Sequence, residues 1–151
     1  MAKKSPVNHI LVLVDGTEAS FRAADRAIEL ARALGAHLTA LAVMDTDTLR
    51  QLLSARILVD VEMDEFEKEL EESARRQLAE VRERALARKV VIEEVLLTGN
   101  TEIIVPKEVE ERGVDLIAMG GYPSTKVTRD LVARQRQMIL DRAPCPVLVV
   151  K

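Results

Sequence analysis

Five short aliphatic runs alternate along the chain with longer stretches whose apolar residues recur every three or four positions. Ile10 to Val14 is the first run, and Asp15-Gly16-Thr17 ends it, as a buried strand leaving through a turn. Ser20 then opens a helical stretch with Ala23, Ala24, Ala27, Ile28, Ala31 and Leu34 on one face and Gly35 as C-cap. His37 to Met44 is the second strand, and Asp45 begins a polar exit. Between 46 and 61, Leu49, Leu52, Leu53, Ile57 and Leu58 suggest a short helix without defined ends. From Met63 to about Ala87 the stripe is clear: Phe66, Leu70, Ala74, Leu78, Val81 and Ala85. On its other side, Glu71–Arg75, Glu72–Arg76 and Glu80–Arg84 are i,i+4 pairs in the favourable order, which marks a solvated face.

Val90 to Leu97 is the third strand, closed by Gly99-Asn100. Residues 101–112 follow a helical pattern up to Gly113. With Thr101 as N-cap, Pro106 falls past the first turn, where it should kink the helix or delay its start. Asp115 to Met119 is the fourth strand and ends at Gly120-Gly121. A loop from Tyr122 leads to a last helix ending near Arg142, and Pro144-Cys145-Pro146 introduces a fifth strand, Val147 to Val150. Strand and helix alternate without a linker or repeat. Right-handed crossovers then predict one doubly wound α/β domain over 1–151, an open parallel sheet with helices on both faces. Ligands of such sheets sit beyond the carboxyl ends of the strands, at the switch point. That places a candidate site at Val14-Asp15-Gly16-Thr17, Val43-Met44 and Met119-Gly120-Gly121.

Composition agrees with this frame and narrows the function. The chain has 151 residues, of which 48% are hydrophobic but only two Phe, one Tyr and no Trp, so Ile, Val, Leu and Ala must fill the core. A net charge of −3 offers no electrostatic footprint for nucleic acid. The longest apolar runs are strand-sized, and no apolar h-region follows Lys3 and Lys4, so neither a membrane span nor a signal peptide is expected and a cytoplasmic location is. A single cysteine, Cys145, excludes an internal disulfide and a Cys-rich zinc site; it fits a small buried residue between prolines better than a redox sensor.

No Ser-His-Asp or Cys-His arrangement is readable, and only Asp15 is placed as a phosphoacceptor would be, so the chain is not expected to be an enzyme. Asp15 is placed either to bind a ribose or nucleobase group or to cap the turn at Gly16. Val43 and Met119 either line an adenine pocket or serve as core, and Gly120-Gly121 either approach a ligand or make the turn. The cluster Arg129, Arg134, Arg136 and Arg142 reads as a solvated helix face, and His9 and His37 as structural residues at strand starts.

Three stretches resemble the universal stress protein family: ILVLVDGTEAS with the Ala-rich helix and HLTALAVMD after it, the segment ending GVDLIAMGG, and the closing APCPVLVVK. The resemblance implies a five-stranded sheet in the order 3-2-1-4-5 and a homodimer through the last strand. It also implies an ATP-binding loop of the pattern G-x2-G-x9-G-[ST]. Here Gly120 fills the first glycine, while Pro123, Ala133 and Arg134 stand at the second glycine, the third glycine and the Ser/Thr. Proline has no N–H to offer a phosphate, and alanine adds a methyl where backbone should come close. Arg134 is cationic but replaces a compact hydroxyl, and Ser124, Thr125 and Lys126 are substitute donors. The expected function is therefore a non-catalytic stress-response regulator or binding protein with a degenerate ATP loop. The alternative keeps an adenine nucleotide, ATP or AMP, in the same crevice, as a binding protein or slow ATPase. The residues expected to contact such a ligand are Val14, Asp15, Val43, Met119, Gly120, Gly121 and Arg134; no metal site is expected.

Overall fold

A computed structural model describes residues 6–47, 50, 63–121 and 126–151. The elements are β1 (His9–Leu13), α1 (Glu18–Leu34), β2 (His37–Asp45), α2 (Met63–Ala87), β3 (Ile92–Gly99), α3 (Thr101–Arg112), β4 (Leu116–Gly120), α4 (Lys126–Arg142) and β5 (Val147–Val150). The strands form one parallel sheet in the order β3-β2-β1-β4-β5, so the expected 3-2-1-4-5 arrangement is present. The short helix suggested between 46 and 61 falls mostly outside the described residues.

Period-two alternation divides the core between the two faces of the sheet. Ile10, Val12, Leu38, Ala40 and Ala118 point to one face and pack against α1 and α2, through Ala23, Ala27, Ile28, Leu78 and Val81. Leu11, Leu13, Leu41, Ile117 and Met119 point to the other and meet Val105 and Val109 of α3 and Ile139 of α4. The central strand β1 is aliphatic at every position after His9 because both of its faces are covered. Among the described residues no helix is long and apolar enough to cross a membrane.

Two helix starts differ from the sequence pattern. Thr17, not Ser20, is the N-cap of α1: its hydroxyl accepts from the Ser20 amide at 3.1 Å, and the buried Ser20 hydroxyl donates back to the Thr17 carbonyl at 2.9 Å. Asn100 rather than Thr101 caps α3, accepting from the Glu102 amide at 2.9 Å, and the helix runs through Pro106 without a delayed start. At the opposite end of the sheet His9 is fixed in the fold, its ring bonded to the Arg112 carbonyl at 3.0 Å and the Thr39 hydroxyl at 2.7 Å.

Candidate functional site

Sheet topology sends the chain in opposite directions from β1 and β4, which opens a crevice between their carboxyl ends. Asp15 sits at its centre, on the turn that leads into α1. Its Oδ1 accepts from the Thr17 amide at 3.0 Å and the Thr17 hydroxyl at 2.6 Å, an Asx-type turn that lets Gly16 take φ +81°. Its Oδ2 accepts from the Arg136 guanidinium of α4. The Arg136 Nε donates to the Gly120 carbonyl at 3.1 Å. One buried arginine thus ties together the ends of β1 and β4 from a helix on the far face. Burial alone would raise the Asp15 pKa, but the Arg136 charge and the two Thr17 hydrogen bonds outweigh it and hold the carboxyl below its ordinary value.

This overturns the expectation for one member of the arginine cluster. Arg136 is 2% exposed and does not belong to a solvated face. The signal lay in the helical spacing: Arg136 shares a stripe with Ile139 and Ala143, both packed into the core. Arg134 and Arg142 are exposed, as a solvated face requires.

Six of the seven residues expected at the site are divided between two cavities. The first, about 290 Å³, lies between the ends of β1 and β2 and the helix α2; Val14, Asp15 and Val43 line it. The second, about 390 Å³, lies beyond β4 and β5 and contains Met119, Gly120 and Gly121, with Arg136. The Asp15–Arg136 pair joins the walls of the two. Arg134 lines neither. Val14 and Met119 are almost wholly buried and offer little more than wall. Gly120 is pressed against α1: a Cβ there would lie 2.7 Å from the Ala19 carbonyl carbon and 2.7 Å from the Ser20 nitrogen.

Three further residues at this end escaped the sequence pattern. Asp45, at the end of β2, accepts from the Thr101 amide at 3.1 Å and from Gln135 Nε2 at 3.0 Å, so successive residues of α4 are held by successive strand ends. Gln77 and Ser73 of α2 are polar groups on the wall of the first cavity, whose other lining includes Phe66, Leu70 and Ala74. They sit one position aside from the apolar stripe, where polar residues are ordinarily solvent-facing. Cys145 is half-buried, and burial pushes its thiol pKa up, which keeps it protonated at neutral pH.

Comparison with known proteins agrees with this architecture. The sequence model of the Universal stress protein family matches residues 6–151. A relative from Staphylococcus haemolyticus is 32% identical over 144 residues, covering 95% of this chain and 84% of its own length. Among solved structures, a universal stress family protein from Burkholderia pseudomallei superposes with a TM-score of 0.74 at 24% identity, covering 97% of each chain. A universal stress protein in complex with cAMP superposes with a TM-score of 0.68 at 23% identity, over 95% of this chain and 96% of its own. At these identities the structures establish the shared fold. The family match over nearly the full length establishes the lineage: the chain belongs to the universal stress protein family.

Proposed function

We propose that this chain is a non-catalytic binding or regulatory protein of the universal stress class, whose crevice admits an adenine-sized ring but has lost the grip on a triphosphate. The observation that carries the reading is the Asp15–Arg136 pair. Both oxygens of Asp15 already accept hydrogen bonds within the chain, so the carboxylate is poorly placed to act as a general base. The Gly120 carbonyl is likewise taken, and its Cα is pressed against α1. The motif positions after Gly120 support the same view. Pro123, which lies outside the described residues, has no N–H; Ala133 carries a methyl; and Arg134 projects to solvent.

A specific observation favours a small adenine ligand as the occupant of what remains. The cavity beside Asp15 and Val43 is walled largely by apolar side chains, as a flat heterocycle requires, and a protein of the same fold holds cAMP. Calorimetric titration of nucleotide-stripped protein with AMP, ADP and ATP tests both parts. The expected result is affinities within about threefold of one another, unchanged by magnesium. Affinity that climbs with each phosphate would show that the triphosphate grip persists. No binding by any of the three would remove the adenine pocket and direct the search to protein partners.

The same reading makes the protein a cytoplasmic homodimer joined at β5. Within the chain β5 pairs with β4 along one edge, and Val149 is 42% exposed. Val149→Lys, or removal of residues 146–151, is expected to yield monomers in analytical ultracentrifugation. Variants that remain dimeric would place the interface elsewhere.

A further inference from the structure

The first cavity carries one polar feature that neither the fold nor the ion pair explains. Gln77 projects from α2 so that its amide lies against Gly16, on the turn that holds Asp15; a methyl group at Gly16 would overlap the Gln77 Nε2. The Nε2 donates to the Ser73 hydroxyl at 3.1 Å, one helical turn earlier, which holds the amide against the helix. Gln77 and Ser73 both line the cavity. The amide is therefore positioned from two sides at the wall of an apolar chamber, beside a carboxylate whose oxygens are already bonded to Thr17 and Arg136.

We propose that Gln77 is the specificity-determining residue of this cavity and that it reads the amino edge of a purine. A primary amide presents one acceptor and one donor side by side, the complement of an exocyclic amine next to a ring nitrogen. In this arrangement Gln77 Oε1 accepts from the 6-amino group and Nε2 donates to the adjacent ring nitrogen, while the ring itself rests among Val43, Phe66, Leu70 and Ala74. Asp15 contributes little to this discrimination because both of its oxygens already accept hydrogen bonds from Thr17 or Arg136. The inference rests on the cavity being the ligand site, and it adds the group that decides which ring enters.

The test compares adenosine with purine riboside, which lacks the 6-amino group, on the wild-type chain and on Gln77→Leu, by calorimetry. Wild type is expected to prefer adenosine by about tenfold or more, and Gln77→Leu to bind the two nucleosides within about twofold of each other. A thermal melt checks that the variant is folded; should leucine not be tolerated against Gly16, Gln77→Met keeps an unbranched stem and answers the same question. Equal affinity of wild type for both nucleosides would overturn the role of Gln77 while leaving the cavity as a ligand site. So would a preference that survives in the folded variant. Failure of wild type to bind either nucleoside would overturn the cavity reading, and the role of Gln77 with it.

Discussion

Arg136→Met is expected to lower folding stability by about 3 kcal/mol at neutral pH, the lower end for breaking a buried ion pair from one side. The loss has two parts. Asp15 keeps its charge but loses its cationic partner in a site where its side chain is only 28% exposed, and the Gly120 carbonyl loses a donor. Partial exposure of Asp15 allows water to recover some of the cost, which keeps the figure from being larger. The sign of the pH dependence follows from the direction of the Asp15 shift. Its folded pKa lies below the ordinary 3.8, so the stabilisation is complete above that value and fades as pH falls through the lower folded value. In Arg136→Met the carboxyl loses its strongest lowering influence and moves upward, so the variant is relieved by acid over a range where wild type is not. Urea unfolding at neutral pH and at pH about 3 should therefore show a gap that narrows on acidification. Asp15→Asn combined with Arg136→Met removes both charges and is expected to recover much of the loss. A single variant as stable as wild type at neutral pH would show that the pair is not closed in solution.

The elements of the fold were legible because each is written in a short-range pattern. Continuous aliphatic runs marked the buried parallel strands, and glycines at 35 and 113 marked helix ends that do adopt the left-handed conformation. Strand order is a different kind of information: alternation alone allows several doubly wound orders, and the 3-2-1-4-5 arrangement came with the family resemblance. The candidate site was legible in the sequence as a set of strand ends but not as a set of contacts. Asp15, Val43 and Gly120 were expected from their position at strand ends, and each lines a cavity there. That Arg136 would cross from α4 to Asp15 depends on a contact between residues 121 apart in sequence. Its helical spacing put it on the core stripe, yet an arginine there ordinarily reads as surface, and only the location of a carboxylate above the sheet tells otherwise. Gln77 was hidden for the same reason, since its significance comes from Gly16, which no periodicity within α2 can reveal.

Gly120→Ala separates the two reasons for a glycine at the end of β4. In the family pattern it is the first glycine of a ligand-binding loop, and a methyl there would be expected to affect ligand alone. In this chain the added Cβ would lie 2.7 Å from the Ala19 carbonyl carbon and 2.9 Å from the Ala19 Cβ, atoms in the first turn of α1. That turn has little freedom to retreat. Thr17 caps it, the buried Ser20 hydroxyl ties it back to Thr17, and Ala19 is itself 8% exposed. Because the obstacle is backbone rather than the end of a flexible side chain, the expected cost is about 2–3 kcal/mol, in the upper part of the overpacking range. The neighbouring glycine is the control. A Cβ on Gly121 would meet the Lys151 Cα at 3.5 Å and the Val150 oxygen at 3.6 Å, ordinary contact distances, so Gly121→Ala is expected to stay within about 0.5 kcal/mol of wild type. Chemical unfolding of the two variants in parallel decides the matter, and equal stability would mean that α1 does not approach β4 so closely. The consequence reaches the crevice as well. The Gly120 carbonyl accepts from Arg136, so a shift of β4 away from α1 also disturbs the Asp15 pair. Combined with Arg136→Met, Gly120→Ala should therefore cost less than the sum of the two changes, the mark of residues that act on one shared contact.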